Sequence, residues 1–385
     1  MRIPAPPTEA DFTSRLRSAT VAARVGLWLG VCFGICFLTG LLSHYAQNPV
    51  HPVPFPASPS WGYRLTQGLH VVTGTAAVPL LLVKLWSVFP RLFIRPPKAP
   101  RALAVEALER ASIGILVASA IFQLATGLAN SAQWYPWSFS FRTTHYAMAW
   151  VAIGALLVHI AVKLPIIRGA LTRDVDDTTY DRESATRESP MSRRGLLRTT
   201  WVAAGVAVLA TAGSTVPFLR KVSVLGVSSG DGPGGIPINK SAKAAGVTAT
   251  AVSPSYALSV VSGGREIALT RAELLAMTQR TVDLPIACVE GWSADGTWTG
   301  VRVRDLLDLV DAPPGSDVLV DSLQEKGAFR RSTLQGSFAD DDRTLLALAL
   351  AGEPLSIDHG YPARIIAPNR PGVLQTKWVT RIEVL

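Results

Sequence analysis

Cys288 is the residue whose type and position in this 385-residue chain most directly suggest chemistry. The chain has three cysteines, and the other two, Cys32 and Cys36, lie four residues apart in an apolar stretch and are interpreted as packing residues. A lone thiol has no disulfide partner in its own domain, and in an exported domain it would be oxidised unless it were buried or bonded. We therefore interpret Cys288 as a metal ligand.

The elements that must position this thiol include a membrane region. Hydrophobic residues make up 48% of the chain, and a helix needs about 20 residues to cross a bilayer. Five charge-free stretches are long enough, which predicts five membrane helices with membrane lipid around them. They are Val25–Tyr45, Leu65–Val83, Ala111–Leu128, Thr143–Val162 and Thr199–Leu219.

Positive charge is concentrated in the N-terminal tail and in alternate loops of this region. The net charge is +9, but the residues after Ser255 carry 13 basic and 17 acidic side chains, so the excess lies in the membrane half. By the positive-inside rule, the N-terminus is cytoplasmic and the segment after Leu219 is outside. Charges in short loops do not form the basic face that nucleic acid needs, so no nucleic acid partner is expected.

Four of the six histidines lie in the apolar stretches, where ionisable side chains are functional by default. His70 and His145 lie near the outer starts of the second and fourth spans, which suits bis-histidine ligation of one heme b. His159 follows His145 by fourteen residues, about 21 Å of helix on the same face, and with His44 is a candidate for a second heme. The alternative for each is a helix cap or a hydrogen bond between helices.

This arrangement resembles the four-helix cytochrome b subunits of the b561 and formate dehydrogenase type over residues 20–168. The resemblance implies an all-α transmembrane four-helix bundle that exchanges electrons with the quinone pool. It departs at His44, which lies at the outer end of span one, whereas the usual partner of His159 would lie at the inner end. One heme b is therefore expected, and the second stays open.

The fifth span is preceded by Ser192-Arg193-Arg194-Gly195-Leu196-Leu197-Arg198. This stretch resembles a twin-arginine export signal, which implies that the C-terminal domain folds before it crosses the membrane. The alternative is an ordinary basic flank of a membrane helix. Residues 169–198 are polar and are predicted to be a flexible cytoplasmic linker.

After the fifth helix, predicted as an anchor over residues 199–219, a linker over residues 220–235 leads to a domain over residues 236–385. Strand and helix patterns alternate in it and predict a mixed α+β fold. Strands are predicted at 256–261, 282–289, 317–321, 363–368 and 378–384, and helices at 270–278, 301–310 and 345–351.

The motifs of this domain resemble the molybdopterin-binding domain of the sulfite oxidase family. They are Cys288-Val289-Glu290-Gly291-Trp292, Trp298-Thr299-Gly300-Val301, His359-Gly360-Tyr361-Pro362-Ala363-Arg364 and Lys377-Trp378-Val379, in family order. The Cys-Val-Glu-Gly-Trp form is closer to the periplasmic methionine sulfoxide reductase subunit than to the sulfite oxidases. The resemblance implies that Cys288 binds molybdenum and that the pterin is held by Asn239, His359, Arg364, Gln375, Thr376 and Lys377.

The function that this resemblance implies is oxygen-atom transfer by molybdenum on the outer face, with heme b passing electrons to or from quinone. Glu290 and Trp292 stand where sulfite oxidases carry arginine, which favours a small-molecule or protein-bound S-oxide or N-oxide over sulfite. Arg330 and Arg331 are a further source of positive charge, so a sulfite-type dehydrogenase is the alternative. A quinol-linked cytochrome with a non-catalytic accessory domain is a third interpretation.

Overall fold

The structure, a computed structural model, describes residues 7–48, 53, 55–226 and 233–385. Residues 227–232 of the predicted linker therefore lie outside the described part of the chain. The chain divides into two compact units, and the domain boundaries at 168 and 236 stay predictions. The helical unit comprises Met1–Leu38, Leu69–Ala212 and Val222–Leu225, and the C-terminal unit comprises Thr39–Gly68, Gly213–Lys221 and Gly226–Leu385.

Five helices are long and apolar enough to cross a membrane, at the positions where the sequence predicts spans. The fifth ends at Thr211 rather than at Leu219 and is followed by short 3-10 turns, one of which begins at Pro217. Proline has no N–H to continue the helical ladder. The helices are α1 (Ala19–Gln47), α2 (Gly62–Val88), α3 (Pro100–Ser131), α4 (Phe141–Thr172) and α5 (Arg193–Thr211). The four-helix bundle stays a prediction.

The segment between α4 and α5 is folded rather than a flexible linker as predicted. Arg187 N donates to Thr13 O at 2.8 Å and Arg15 N donates to Arg187 O at 3.1 Å, which ties this segment to the N-terminal tail. The buried Arg193 guanidinium donates to Asp177 O at 2.9 Å and pairs with the Asp181 carboxylate. The polar residues that suggested disorder therefore satisfy one another.

The C-terminal unit contains two five-stranded sheets. One has the order β2-β1-β10-β5-β6, with β1 and β10 parallel, and the other has the order β3-β4-β7-β8, with β9 also paired to β7. The strands are β1 (Ala257–Ser262), β2 (Arg265–Thr270), β3 (Arg280–Ala287), β4 (Ser293–Arg302), β5 (Val318–Ser322), β6 (Arg331–Leu334), β7 (Leu345–Leu350), β8 (Glu353–Pro354), β9 (Arg364–Ile366) and β10 (Val379–Val384). Short helices connect them: α6 (Ala242–Ala245), α7 (Thr248–Ala251), α8 (Arg271–Ala276), α9 (Val303–Asp308) and α10 (Gly336–Ala339).

The predicted helix at Leu345–Ala351 is wrong, because β7 occupies this stretch. Its run of Leu and Ala carries no alternation, and the strand is covered on both sides, so periodicity does not distinguish it from a buried helix. The predicted helix at Thr270 is confirmed in α8. Its N-cap is a capping box in which Glu273 N donates to Thr270 Oγ1 at 3.3 Å.

Gly300 is the point at which β4 and β7 approach most closely. A Cβ atom there would lie 2.1 Å from Leu346 O and 2.6 Å from Ala347 Cα, both in the backbone of β7. We expect Gly300→Ala to destabilise the domain by about 3 kcal/mol through overpacking. Thermal unfolding in detergent measures this, with Thr299→Ala on the same strand as the control. An unchanged unfolding temperature for Gly300→Ala would contradict this packing.

Candidate active site

The thiol of Cys288 lies directly after β3 in a tight turn. Cys288 N donates to Trp292 O at 2.8 Å and Gly291 N donates to Cys288 O at 3.0 Å. Gly291 has φ 85°, a left-handed conformation that favours glycine. The turn holds the thiol at 1% exposure at the end of a strand, which is a rigid position for a metal ligand.

The carboxylate of Glu290 lies between the thiol and the Trp292 indole. Glu290 Oε2 accepts from Trp292 Nε1 at 3.1 Å and lies 3.7 Å from Cys288 Sγ. Burial, and then the negative charge of Glu290, raise the pKa of the Cys288 thiol. The thiol is therefore protonated at neutral pH until a metal displaces the proton.

The segment after β9 packs against the backbone of this turn. Pro371 forms a parallel bridge with Ala287, and a Cβ on Gly372 would lie 3.0 Å from Ala287 O and 3.4 Å from Cys288 Cα. Gly372 therefore permits the close approach, which sequence reasoning missed. It brings the residues from 364 to 377 to the side of the thiol.

Two predicted pterin residues, Arg364 and Lys377, are buried cations held by carbonyl groups. Arg364 donates from Nη1 to His359 O at 3.0 Å, while its Nε has no hydrogen-bond partner among the described residues. Lys377 Nζ donates to Asp358 O at 3.0 Å. Burial lowers the pKa of Arg364 to about 10, and burial followed by the charge of Arg364 lowers the pKa of Lys377 to about 7.

Arg370 is a third buried cation, which the sequence analysis did not identify. It is 4% exposed, donates to Thr333 O at 2.7 Å and also bonds Leu374 O. Burial lowers its pKa to about 9, so it stays charged at neutral pH. It occurs in Pro368-Asn369-Arg370-Pro371-Gly372, a turn-like sequence that suggests a surface loop. Within the described ranges, no carboxylate forms a salt bridge with Arg364, Arg370 or Lys377.

The other predicted pterin residues lie around these cations. Gln375 Nε2 donates to Ala367 O and its Oε1 accepts from Ala367 N, both at 2.8 Å, and Thr376 Oγ1 contacts Ser332 Oγ at 2.7 Å. Asn239 caps the N–H of the next residue, Lys240, whose carbonyl oxygen accepts from Lys377 Nζ. The structure thus gathers these residues near Lys377.

His359 connects two segments with both of its ring nitrogens. Nε2 lies 2.8 Å from Ile236 O, and Nδ1 lies 2.8 Å from Ser356 Oγ. Because a carbonyl only accepts, Nε2 carries the proton, and burial lowers the pKa of the ring so that it is neutral. His359 therefore holds the start of the domain against this wall, and a direct contact with the pterin phosphate stays a prediction.

The two arginines suggested as additional positive charge, Arg330 and Arg331, are both exposed. Arg331 Nε pairs with Asp321 Oδ1 at 2.7 Å across β5 and β6. Arg370, by contrast, is buried, and the backbone of the next residue, Pro371, pairs with Ala287.

The helical unit brings His70 of α2 and His145 of α4 together, with ring centroids 6.4 Å apart. His70 Nδ1 lies 3.0 Å from Cys36 O, and His145 Nδ1 lies 3.0 Å from Thr126 Oγ1. Two imidazoles on opposite sides of one metal ion have centroids about 6 Å apart, since each metal–nitrogen bond is about 2 Å. Hydrogen bonds at Nδ1 orient the rings for ligation through Nε2.

The two histidines proposed for a second heme are placed differently. His44 Nε2 lies 3.1 Å from Asn48 Nδ2, one turn later along the chain and inside the C-terminal unit. His159 is half-buried on α4. Their role as heme ligands stays a prediction.

The C-terminal part of the chain is similar to known proteins. Residues 245–385 match the family model of the oxidoreductase molybdopterin-binding domain. The C-terminal part of the chain is therefore similar to oxidoreductase molybdopterin-binding domains. The chain spans less than half of the length of the curated relatives that it matches, such as the sulfite oxidase of Arabidopsis thaliana. That relative is 30% identical over 113 residues, covering 25% of this chain and 29% of its own.

Two further similarities are to a protein of Azospira oryzae and to a crystal structure from Paracoccus pantotrophus. A protein of Azospira oryzae named as the methionine-sulfoxide reductase subunit YedZ1 is 31% identical over 118 residues, which cover 30% of this chain and 44% of that protein. The crystal structure of the sulfane dehydrogenase SoxCD from Paracoccus pantotrophus is 22% identical, covers 34% of this chain and 38% of that chain, and has a TM-score of 0.32.

The molybdopterin-binding domain has a wall that fits an anionic cofactor. Buried cations are costly unless an opposite charge accompanies them. Arg364 Nε has no hydrogen-bond partner among the described residues, and Lys377 Nζ donates to a carbonyl oxygen. A phosphate group would supply the missing negative charge, and a guanidinium can bind a phosphate with two N–H groups.

Lys377 makes the stability of the cofactor-free protein depend on pH. In the folded domain its pKa of about 7 lies below the usual lysine value of 10.5, so the unfolded chain binds more protons above pH 7 and stability rises with pH. We expect the unfolding temperature of the domain to rise by a few degrees between pH 7 and pH 9, above which Cys288 begins to oppose the trend. Thermal scans of cofactor-free Lys377→Met should lose this rise, whereas the exposed Lys243→Met should keep it. An equal rise in Lys377→Met would contradict the assignment.

Proposed function

We propose that the protein is a membrane-bound molybdenum oxidoreductase that transfers oxygen atoms on the outer face and exchanges electrons with the quinone pool through heme b. The observation that carries the proposal is the buried Cys288 thiol close to the buried Lys377, in a part of the chain that matches an oxidoreductase molybdopterin-binding domain and also buries Arg364. This donor set suits a thiolate-bound metal with an anionic organic cofactor.

Each group of residues in the site has a separate role in this proposal. Cys288 binds the molybdenum, which supplies two-electron oxygen-atom transfer when bound. Arg364 and Lys377 bind the pterin phosphate, while Asn239, Gln375 and Thr376 position the neighbouring backbone. Arg370, which is buried and bonded to Thr333 O and Leu374 O, adds positive charge to the same domain.

The favoured substrate is a small-molecule or protein-bound S-oxide or N-oxide. Reduction of a sulfoxide uses two electrons and two protons and yields a sulfide and water. Glu290 lies 3.7 Å from the thiol and places negative charge where a sulfite dianion would approach. A neutral oxide does not meet this repulsion.

Electrons for this reaction come from quinol through a heme held by His70 and His145. The ring separation of 6.4 Å and the Nδ1 hydrogen bonds support axial ligation of one heme b. The similarity to a protein named as a methionine-sulfoxide reductase subunit supports the reduction of a sulfoxide. His44 and His159 are candidates for a second heme.

The positive-inside charge bias supports a cytoplasmic N-terminus and an outer C-terminal domain. The twin-arginine-like stretch before α5 supports export of that domain in a folded state. Once exported, the domain is anchored by the five apolar helices in the lipid bilayer.

The alternative is a sulfite-type dehydrogenase that passes electrons to quinone. The similarity to a sulfite oxidase favours it, and the buried Arg370 supplies positive charge within the same domain. The third interpretation is a quinol-linked cytochrome with a non-catalytic accessory domain. It requires that the C-terminal domain binds no molybdenum.

Glu290→Gln separates the first two activities. Removal of the negative charge should raise kcat/KM for sulfite relative to that for a neutral sulfoxide by roughly tenfold or more. Steady-state kinetics with both substrates measure the ratio, and Glu325→Gln, an exposed change in another loop, is the control. A ratio that does not change would show that Glu290 does not face the substrate.

Metal and heme analysis of the detergent-purified protein tests the proposal as a whole. We expect about one molybdenum per chain and a bis-histidine b-type reduced-minus-oxidised spectrum. Cys288→Ala should abolish turnover and leave this spectrum intact, whereas His145→Ala should remove the heme and leave the molybdenum. Heme without molybdenum, from a host that makes the cofactor, would overturn the catalytic assignment, and loss of both in Cys288→Ala would indicate a folding role.

A further inference from the structure

Thr215 is a buried residue, 3% exposed, that the site described above does not use. It lies four residues after the end of α5 and thirty residues before residue 245, where the match to the molybdopterin-binding domain begins. The segment Gly213–Lys221 belongs to the C-terminal unit. A residue outside the family match is therefore part of the same compact unit as the Cys288 turn.

The hydroxyl of Thr215 donates a hydrogen bond to Gly291 O, inside this turn. The backbone hydrogen bonds of the turn join Cys288 N to Trp292 O and Gly291 N to Cys288 O. Gly291 is buried, and a buried carbonyl group that loses its donor costs about 1–3 kcal/mol. Thr215 thus gives Gly291 O a partner from outside the turn.

The negative charge of the turn lies one residue earlier, at Glu290. Its Oε2 accepts from Trp292 Nε1 at 3.1 Å and lies 3.7 Å from Cys288 Sγ. Gly291, with φ 85°, separates Glu290 from Trp292 in the sequence, and glycine is the residue with the greatest backbone freedom. A hydrogen bond to its carbonyl oxygen keeps this residue in one conformation, and the carboxylate then stays beside the thiol.

The strand side of the turn is held by a different part of the C-terminal unit. Ala287 packs with the buried ring of Tyr63 at the start of α2. Asn369 Oδ1 accepts from Tyr63 N at 2.5 Å, and Arg64 forms two hydrogen bonds with the Asp295 carboxylate, at 2.5 Å and 2.8 Å. These contacts hold the end of the turn that is opposite, in sequence, to the end that Thr215 bonds.

We propose that Thr215 is a positioning residue that holds the Glu290 carboxylate beside the Cys288 thiol and thereby sets the preference of the site for neutral over anionic substrates. The inference rests on the proposed function. Thr215 acts through Glu290 rather than through a contact with substrate. The charge preference of the site therefore depends on the segment that follows the last apolar helix, outside the residues that the family model matches.

The test compares two alkylating reagents of nearly equal size on the Cys288 thiol of the full-length, cofactor-free protein. Iodoacetamide is neutral and iodoacetate is an anion. The ratio of their rates at one pH reports the charge beside the thiol, because the ionised fraction of the thiol cancels in the ratio. Mass spectrometry of the peptide that contains Cys288 separates its reaction from those of Cys32 and Cys36.

Thr215→Val removes the hydroxyl at nearly constant volume and should raise the iodoacetate-to-iodoacetamide ratio roughly threefold or more. Thr215→Ser keeps the hydroxyl and should keep the wild-type ratio. Thr211→Val, at a hydroxyl that bonds Ala207 O within α5, is the matched control and should also leave the ratio unchanged. If Thr215→Val does not fold, Thr215→Ala removes the same hydroxyl and gives the same measurement.

A double variant distinguishes positioning of Glu290 from general loosening of the turn. Glu290→Gln should itself raise the ratio, and Thr215→Val should then add nothing in the Glu290→Gln background. An equal rise in that background, or an unchanged ratio in Thr215→Val alone, would overturn the proposal.

The loaded enzyme provides a second measurement. Thr215→Val should shift kcat/KM towards sulfite relative to a neutral sulfoxide, in the same direction as Glu290→Gln, and a shift towards the sulfoxide would contradict the proposed role. Absence of molybdenum from the wild-type protein would overturn the proposed function, whereas the alkylation ratio would still decide whether Thr215 positions Glu290.

Discussion

The burial of positive charge without negative partners is the constraint on which the C-terminal domain depends. Arg364, Arg370 and Lys377 are 4%, 4% and 8% exposed, and the described part of the domain offers them carbonyl oxygens rather than carboxylates. Desolvation of a cation costs several kcal/mol unless an opposite charge offsets it. A bound anionic cofactor therefore adds to folding stability as well as to chemistry.

This constraint connects the site to the order of assembly. A domain that gains stability from its cofactor folds best with the cofactor bound, which agrees with the predicted twin-arginine-like stretch, since such signals serve proteins that cross a membrane folded. Cys288 adds to the same dependence, because burial and Glu290 keep its thiol protonated until the metal binds.

The sequence predicts the parts of this structure that depend on local pattern. Charge-free stretches located all five long helices, and the Thr270 cap located α8. The order of the family motifs predicted that Cys288, Arg364 and Lys377 lie in one domain, and the structure places them in one compact unit. Sequence pattern could not reveal β7, whose Leu and Ala residues are buried on both sides. It also could not reveal Arg370, which is buried although it lies in a turn-like sequence and which bonds the distant Thr333 O. It also missed the order between α4 and α5, because charged residues that pair in the folded chain resemble those of a disordered linker.

The C-terminal unit joins two stretches that are far apart in the sequence. Residues Thr39–Gly68 belong to the same compact unit as Gly226–Leu385. Asn369, Asp295 and Ala287 thus find their partners in a helical hairpin that precedes them by more than two hundred residues. The hairpin therefore provides a binding surface for the C-terminal domain within the same chain. Because the hairpin and the domain belong to one chain, they are present in a fixed ratio, and their association does not depend on expression level.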